Sequence, residues 1–208
     1  MKKRVISLCD RTGNMVLPWA EAGYECICVD TQHPSGGATV GQHPNIWLFN
    51  RDVLTLKPEF VADAYAVFAF PPCTDMSVSG ARWFKSKGMD AIIHALQVVN
   101  ACRKIAEASG GRYMIENPIS TLSTYWRDPD YRFDPCDFGG YKGGQDDDYT
   151  KRTCLWTGGG FVMPTPKPVS PNQGSKMHLL PPSANRGDLR SETPKGFAQA
   201  VFEANHAR

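Results

Sequence analysis

No apolar run in this sequence approaches the roughly 20 residues needed to cross a bilayer, which excludes a membrane-spanning helix and a membrane partner. Charge of either sign is scarce in excess: a net +2 neither demands a nucleic-acid partner nor rules one out. The seven cysteines form no Cys-x-x-Cys pair. Cys26 and Cys28 alternate within one apolar stretch, a spacing wrong for zinc, so reduced thiols and no bound metal are expected. Met1-Lys2-Lys3-Arg4 runs straight into an apolar strand, leaving no room for a secretory apolar region, and the expected address is therefore the cytoplasm. There is no internal repeat and no Gly-x-Gly-x-x-Gly fingerprint.

What the sequence does contain is a regular alternation of short apolar strands with helical segments. That pattern predicts a single α/β domain over residues 1–208, a doubly wound, mostly parallel sheet with helices on both faces. Strands are expected at 5–8, 25–29, 46–49, 64–70, 113–115 and 151–156, with a short helix at 16–22. The longest helix is expected at 90–108, where Ile93, Leu96, Ala101 and Ile105 fall near a 3.6-residue period and Gly110-Gly111 ends the run. Residues 157–187, rich in Pro, Gly, Ser and Asn, read as an extended loop or arm, and 194–205 as a closing helix.

The first strand-to-helix connection has the character of a nucleotide-type cofactor site. Asp10, Thr12, Gly13, Asn14 and Met15 supply a tight glycine turn and a helix start, so backbone can approach a ligand closely. Asp30, ending the second strand, stands where a carboxylate binds both hydroxyls of a ribose; otherwise it caps a strand end. Asp52 follows the third strand and is either an acceptor for an adenine amino group or a solvated loop aspartate. A single glycine cannot cradle a pyrophosphate. A cofactor without phosphates, such as S-adenosylmethionine, needs only the tight turn.

The most informative residue is Cys73. The buried run Ala64 to Phe70 ends in Pro71-Pro72-Cys73, which displays a thiol at the carboxyl end of a strand; the alternative is a small buried apolar residue. A following turn or helix start would aim N–H groups at the sulfur and lower its pKa. A phosphatase loop is disfavoured, because the nearest arginine, Arg82, lies too far along. About forty residues later Tyr113-Met114-Ile115 forms another strand, closed by Glu116-Asn117-Pro118. A thiol and an acid at two strand ends define a candidate active site.

With these motifs in view the chain resembles the DNA cytosine-5 methyltransferases, and most closely their compact phage-associated members. The resemblance runs through the turn at 10–15, Asp30, Asp52, Pro71-Pro72-Cys73, Glu116-Asn117-Pro118, Lys151-Arg152-Thr153, residues 186–190 and the C-terminal helix. It implies a Rossmann-like S-adenosylmethionine-dependent fold, S-adenosyl-L-methionine as cofactor, Cys73 as nucleophile and Glu116 as the acid facing the pyrimidine. It further implies Arg152 as a catalytic cation, Pro71 at the cofactor, and Ser77, Arg82, Trp83 and Asn117 at the substrate. Residues 74–88 correspond to the family's mobile catalytic loop, with Trp83 filling the gap left by an extruded base; a basic surface loop with Trp83 packed on the core is the plain alternative. Arg152 is otherwise an ordinary surface cation, and the match there is incomplete, because the family has two arginines and a glutamine.

The residue types suit the chemistry. C5 of cytosine is too poor a nucleophile until a thiolate adds at C6. Methylating an exocyclic amine calls instead for Asp or Asn before the two prolines and an aromatic after them, where this chain has Phe70 and Cys73. The family's large target-recognition domain has no counterpart: about 35 residues separate Arg152 from the C-terminal motifs. DNA is the expected partner, with a free pyrimidine nucleotide or RNA, or a non-catalytic binding module, as alternatives, and a partner protein for target recognition is compatible with the short linker.

Overall fold

The computed structural model describes residues 2–176 and 190–206. The expected arm beyond residue 176, and residues 186–189 of the C-terminal motif, lie outside the described residues.

The elements run β1 (Arg4–Leu8), α1 (Leu17–Glu21), β2 (Glu25–Val29), β3 (Thr39–Val40), β4 (Ile46–Phe49), β5 (Ala64–Ala69) and α2 (Phe84–Ala108). They continue with β6 (Arg112–Pro118), α3 (Leu122–Tyr125), β7 (Tyr131–Phe133), β8 (Thr153–Gly158) and α4 (Lys195–Asn205). All eight strands join one sheet, in the order β3-β4-β2-β1-β5-β6-β8-β7. The five central strands, β4 to β6, are parallel. Strand order grows outward in both directions from β1, so the chain reverses between β1 and β5. That reversal opens a crevice at the strands' carboxyl ends, where ligands bind in doubly wound sheets.

Period-2 alternation divides the sheet between two cores. Ile6, Leu8, Ile27, Val29, Val67, Ala69 and Ile115 point to one face and meet Val98, Val99, Cys102 and Ile105 of α2. Val5, Cys26, Cys28, Ala66, Phe68 and Met114 point to the other, against Trp19 of α1 and Phe197, Ala198 and Val201 of α4. Both faces are thus covered by helices, the doubly wound arrangement expected.

Four features differ from the sequence expectation. The last strand begins at Thr153 rather than 151 and runs antiparallel to β6, with Glu116 opposite Leu155. The short strands β3 and β7 border the sheet, too brief for an alternation pattern to show. The long helix starts earlier, at Phe84, but breaks at Gly88 (φ 76°, ψ −179°), a backbone region open to glycine alone, and is regular only beyond it. The described part of the expected arm is not extended into solvent: Gly140 N–H donates to Lys167 O (2.9 Å), Val169 N–H to Cys136 O (2.9 Å) and Thr150 N–H to Gly174 O (2.8 Å).

Candidate active site

At the β1 end of the crevice the turn is organised by Asp10, which is buried. One carboxylate oxygen accepts from the N–H groups of Thr12 (3.1 Å) and Gly13 (2.8 Å), and the other from the Ser7 hydroxyl (2.7 Å). Gly13 has φ 71°, a left-handed conformation that admits the tight turn. Gln42, which the sequence did not single out, closes the turn by donating to Thr12 O (3.1 Å) and Asn14 Oδ1 (3.4 Å). Nor did the sequence single out buried His33, whose Nε2 lies 3.0 Å from Asp10 O. The turn amides of Thr12 and Gly13 are therefore occupied by an internal anion. A pyrophosphate would find those donors already taken; a ligand without phosphates fits.

Asp30 and Asp52 flank the same end of the sheet, and both raise the pKa of the Cys9 thiol, which places all three in one neighbourhood. Asp30 Oδ1 accepts from Gln32 N–H (2.8 Å), and burial pushes its pKa up. Asp52 caps the turn Val53–Thr55 by accepting from Leu54 N–H (2.9 Å) and is exposed. Met15 is a correction: its side chain is fully buried in the core with Trp19 and Ile46, because the helix start that follows the turn points it inward. It does not line the crevice.

At the β5 end, Pro71-Pro72 carries Cys73 out of the sheet. Cys73 O accepts from Met76 N–H (3.0 Å) and Ser77 N–H (2.8 Å), which fixes a turn behind the thiol. Burial and then the neighbouring Glu116 carboxylate push the Cys73 pKa up, while Lys151, its own backbone N–H and Arg190 pull it back. The expected lowering by turn amides is thus overturned: one amide does act, but desolvation and a like charge outweigh it. Burial also raises Glu116, against Lys151. Phe70, Glu116, Lys151, Thr153 and Glu192 line one narrow cleft, so residues 191–194 join the site as contributors the sequence left without a role.

Two further corrections follow from parity. Asn117, expected at the substrate, is fully buried and donates through Nδ2 to Pro71 O (3.0 Å). It neighbours Glu116 in the strand and so points to the opposite face. Arg152 likewise sits out of phase with Leu155, the partner of Glu116, and is half-exposed beside Asp134, 3.4 Å from Nη1 to Oδ2. Lys151, two residues before Thr153 and in phase with Leu155, takes the place expected for Arg152.

The post-nucleophile segment is tied back rather than loose. Val78 N–H donates to Ile119 O (3.1 Å), Thr121 N–H to Met76 O (3.0 Å), and Ser77 is buried with its hydroxyl 2.9 Å from that of Ser79. Trp83 is not packed on the core: it is 55% exposed, with the Arg82 guanidinium 5.3 Å from its ring centre.

Strand order and crevice define a Rossmann-like α/β protein with a thiol and an acid at adjacent strand ends. No protein-family model matches the chain, and no curated protein matches it either. Among solved structures it is similar to a UDP-N-acetylglucosamine 4-epimerase from Methanobrevibacter ruminantium M1 (18% identity, 50% of this chain and 35% of that one, TM-score 0.30). It is similar also to the antibiotic-resistance methyltransferase Kmr (18% identity, 54% and 57%, TM-score 0.30). A third is the glycopeptide N-methyltransferase MtfA complexed with (S)-adenosyl-L-methionine (12% identity, 64% and 53%, TM-score 0.32). The chain spans about a third to somewhat over half of their lengths. Likenesses this distant carry no argument about activity, and the fold class rests on the strand order itself.

Proposed function

We propose that this protein is an S-adenosylmethionine-dependent methyltransferase and, within that class, that it methylates C5 of cytosine in DNA. One observation carries the reading: Cys73 and Glu116 stand at the crevice ends of adjacent parallel strands, where the Glu116 carboxylate bears on the thiol and the Lys151 ammonium bears on both.

Bound in the crevice, the cofactor supplies an electrophilic methyl group; the turn at Gly13 with Asp30 and Asp52 would hold it. Cys73, as thiolate, adds to C6 of the pyrimidine, and Glu116, as carboxylic acid, protonates N3 as the ring accepts electrons. C5 thereby becomes the nucleophile. Once C5 is methylated, loss of its proton to water expels Cys73 as thiolate, and N3 returns its proton to the Glu116 carboxylate, which restores both the ring and the acid. Lys151 stabilises the anionic forms of both side chains and favours the thiolate that must form.

A second reading, the same chemistry on a free pyrimidine nucleotide, draws on the backbone hydrogen bonds that tie residues 167–174 back onto 136–150, in place of a separate recognition domain among the described residues. Incubation with labelled cofactor and duplex DNA, single-stranded DNA, RNA or dCMP, followed by digestion to nucleosides, separates the readings. 5-Methylcytosine in DNA is the expected product. Label in dCMP alone selects the second reading, and label on an exocyclic nitrogen refutes both.

A further inference from the structure

A cavity of about 150 Å³ lies behind the nucleophile turn, on the α2 side of the sheet, separate from the Glu116 cleft. Its apolar walls are Phe84, Ala91 and Ile92; Tyr125, 62% exposed, stands at its rim. That volume accommodates a single aromatic ring. Its polar side is specific. Asp75 and Lys87, paired at 2.6 Å, present an acceptor and a donor side by side. Lys87 also donates to Thr74 O (2.9 Å), and Arg82, Trp83 and Lys85 follow on the same exposed segment.

From this arrangement, and resting on the function proposed above, we infer that the cavity binds the nucleobase next to the target cytosine, in a single-stranded or locally opened polynucleotide. Asp75 is two residues beyond Cys73 and Thr121 five beyond Glu116, so the cavity lies close to the reacting base. A flat ring with a donor–acceptor edge matches what the walls offer: Phe84, Ile92 and Tyr125 take its faces, and Asp75 and Lys87 its edge. Cations on the adjoining segment suit the intervening phosphate. A chain without room for a large recognition domain would thus obtain a flanking-base preference from the scaffold that positions its nucleophile.

The test uses the Cys73→Ala protein for binding and the Cys73-containing protein for turnover. Oligonucleotides carry 2-aminopurine or an abasic site on one or the other side of the target cytosine. On binding, 2-aminopurine at one flank should change its fluorescence at least about twofold, and an abasic flank should cost roughly 5- to 100-fold in affinity, the range for loss of one stacked base. Ala91→Phe, which fills the cavity, and Lys87→Met, which removes the donor at its polar side, should both lose the fluorescence change and level kcat/KM across flanking bases. Overturning results are an abasic flank that costs nothing, or an Ala91→Phe protein that keeps the parent's flanking preference. An Ala91→Phe protein that binds DNA unchanged but no longer captures an aromatic-bearing peptide would also overturn it, in favour of a protein ligand. If 5-fluorocytosine DNA traps no adduct on the parent protein, the proposed function has failed; trapping without flank dependence fails the cavity alone.

Discussion

Asn117 Nδ2 donates to the carbonyl of Pro71 at 3.0 Å, joining the end of β6 to the peptide that launches the nucleophile. Both residues are buried, so the bond is shielded from competing water. It sets the distance between the strand end bearing Glu116 and the one bearing Cys73. In the proposed reaction Asn117 therefore positions the two strand ends and does not touch substrate.

Asn117→Ala leaves a buried carbonyl unpaired and opens a small void. The expected cost is about 1–3 kcal/mol in urea unfolding. Adduct formation with 5-fluorocytosine DNA should slow while cofactor affinity holds. A variant as stable as the parent and as fast would show that the clamp does nothing.

Cys73→Ala should abolish methyl transfer and leave cofactor affinity within a few-fold, measured by calorimetry, because the thiol sits across the crevice from the Gly13 turn. Glu116→Gln keeps the shape but cannot deliver the carboxylic proton. Its rate should fall by about 10² to 10⁴. Turnover by the alanine protein at the parent's rate would refute the nucleophile.

The pH profile has a definite form. Reaction needs Cys73 as thiolate and Glu116 as acid, yet the thiol's pKa stands above its ordinary 9.0 and the acid's above its ordinary 4.5. Between those two values the reactive pair is a constant minority, so kcat/KM should be flat there and fall on either side. Lys151 lowers both groups, so Lys151→Met should move both limbs toward higher pH; Arg152→Met should move neither. Stability has its own sign. Glu116 is raised in the folded chain, so its contribution is present below pH 4.5 and lost as pH rises through the folded value. Glu116→Gln should therefore raise Tm at pH 8 and leave it nearly unchanged at pH 4.

Asp10→Ala strips the turn of the acceptor for two N–H groups and the Ser7 hydroxyl. Hydrogen bonds to a charged group are worth about 1.5–3 kcal/mol each, so the protein should lose several kcal/mol of stability and most of its cofactor affinity. Unchanged binding of S-adenosylmethionine would place the cofactor elsewhere.

The central strands are legible in the chain alone, because parallel strands buried on both faces must be continuous apolar runs, and these stand out between turn residues. So is the ending of two of those strands in a thiol and a carboxylate, since Pro71-Pro72 and Pro118 mark where pairing stops. Which neighbours share a face emerges only when the strands pair. Whether Lys151 or Arg152 meets Glu116, and whether Asn117 faces substrate or scaffold, depends on the antiparallel register of β8 on β6, where one residue's slip exchanges the faces. The same holds for the thiol's pKa: local turn amides are legible in the chain, but the desolvation and the carboxylate that outweigh them arrive from residues forty positions away.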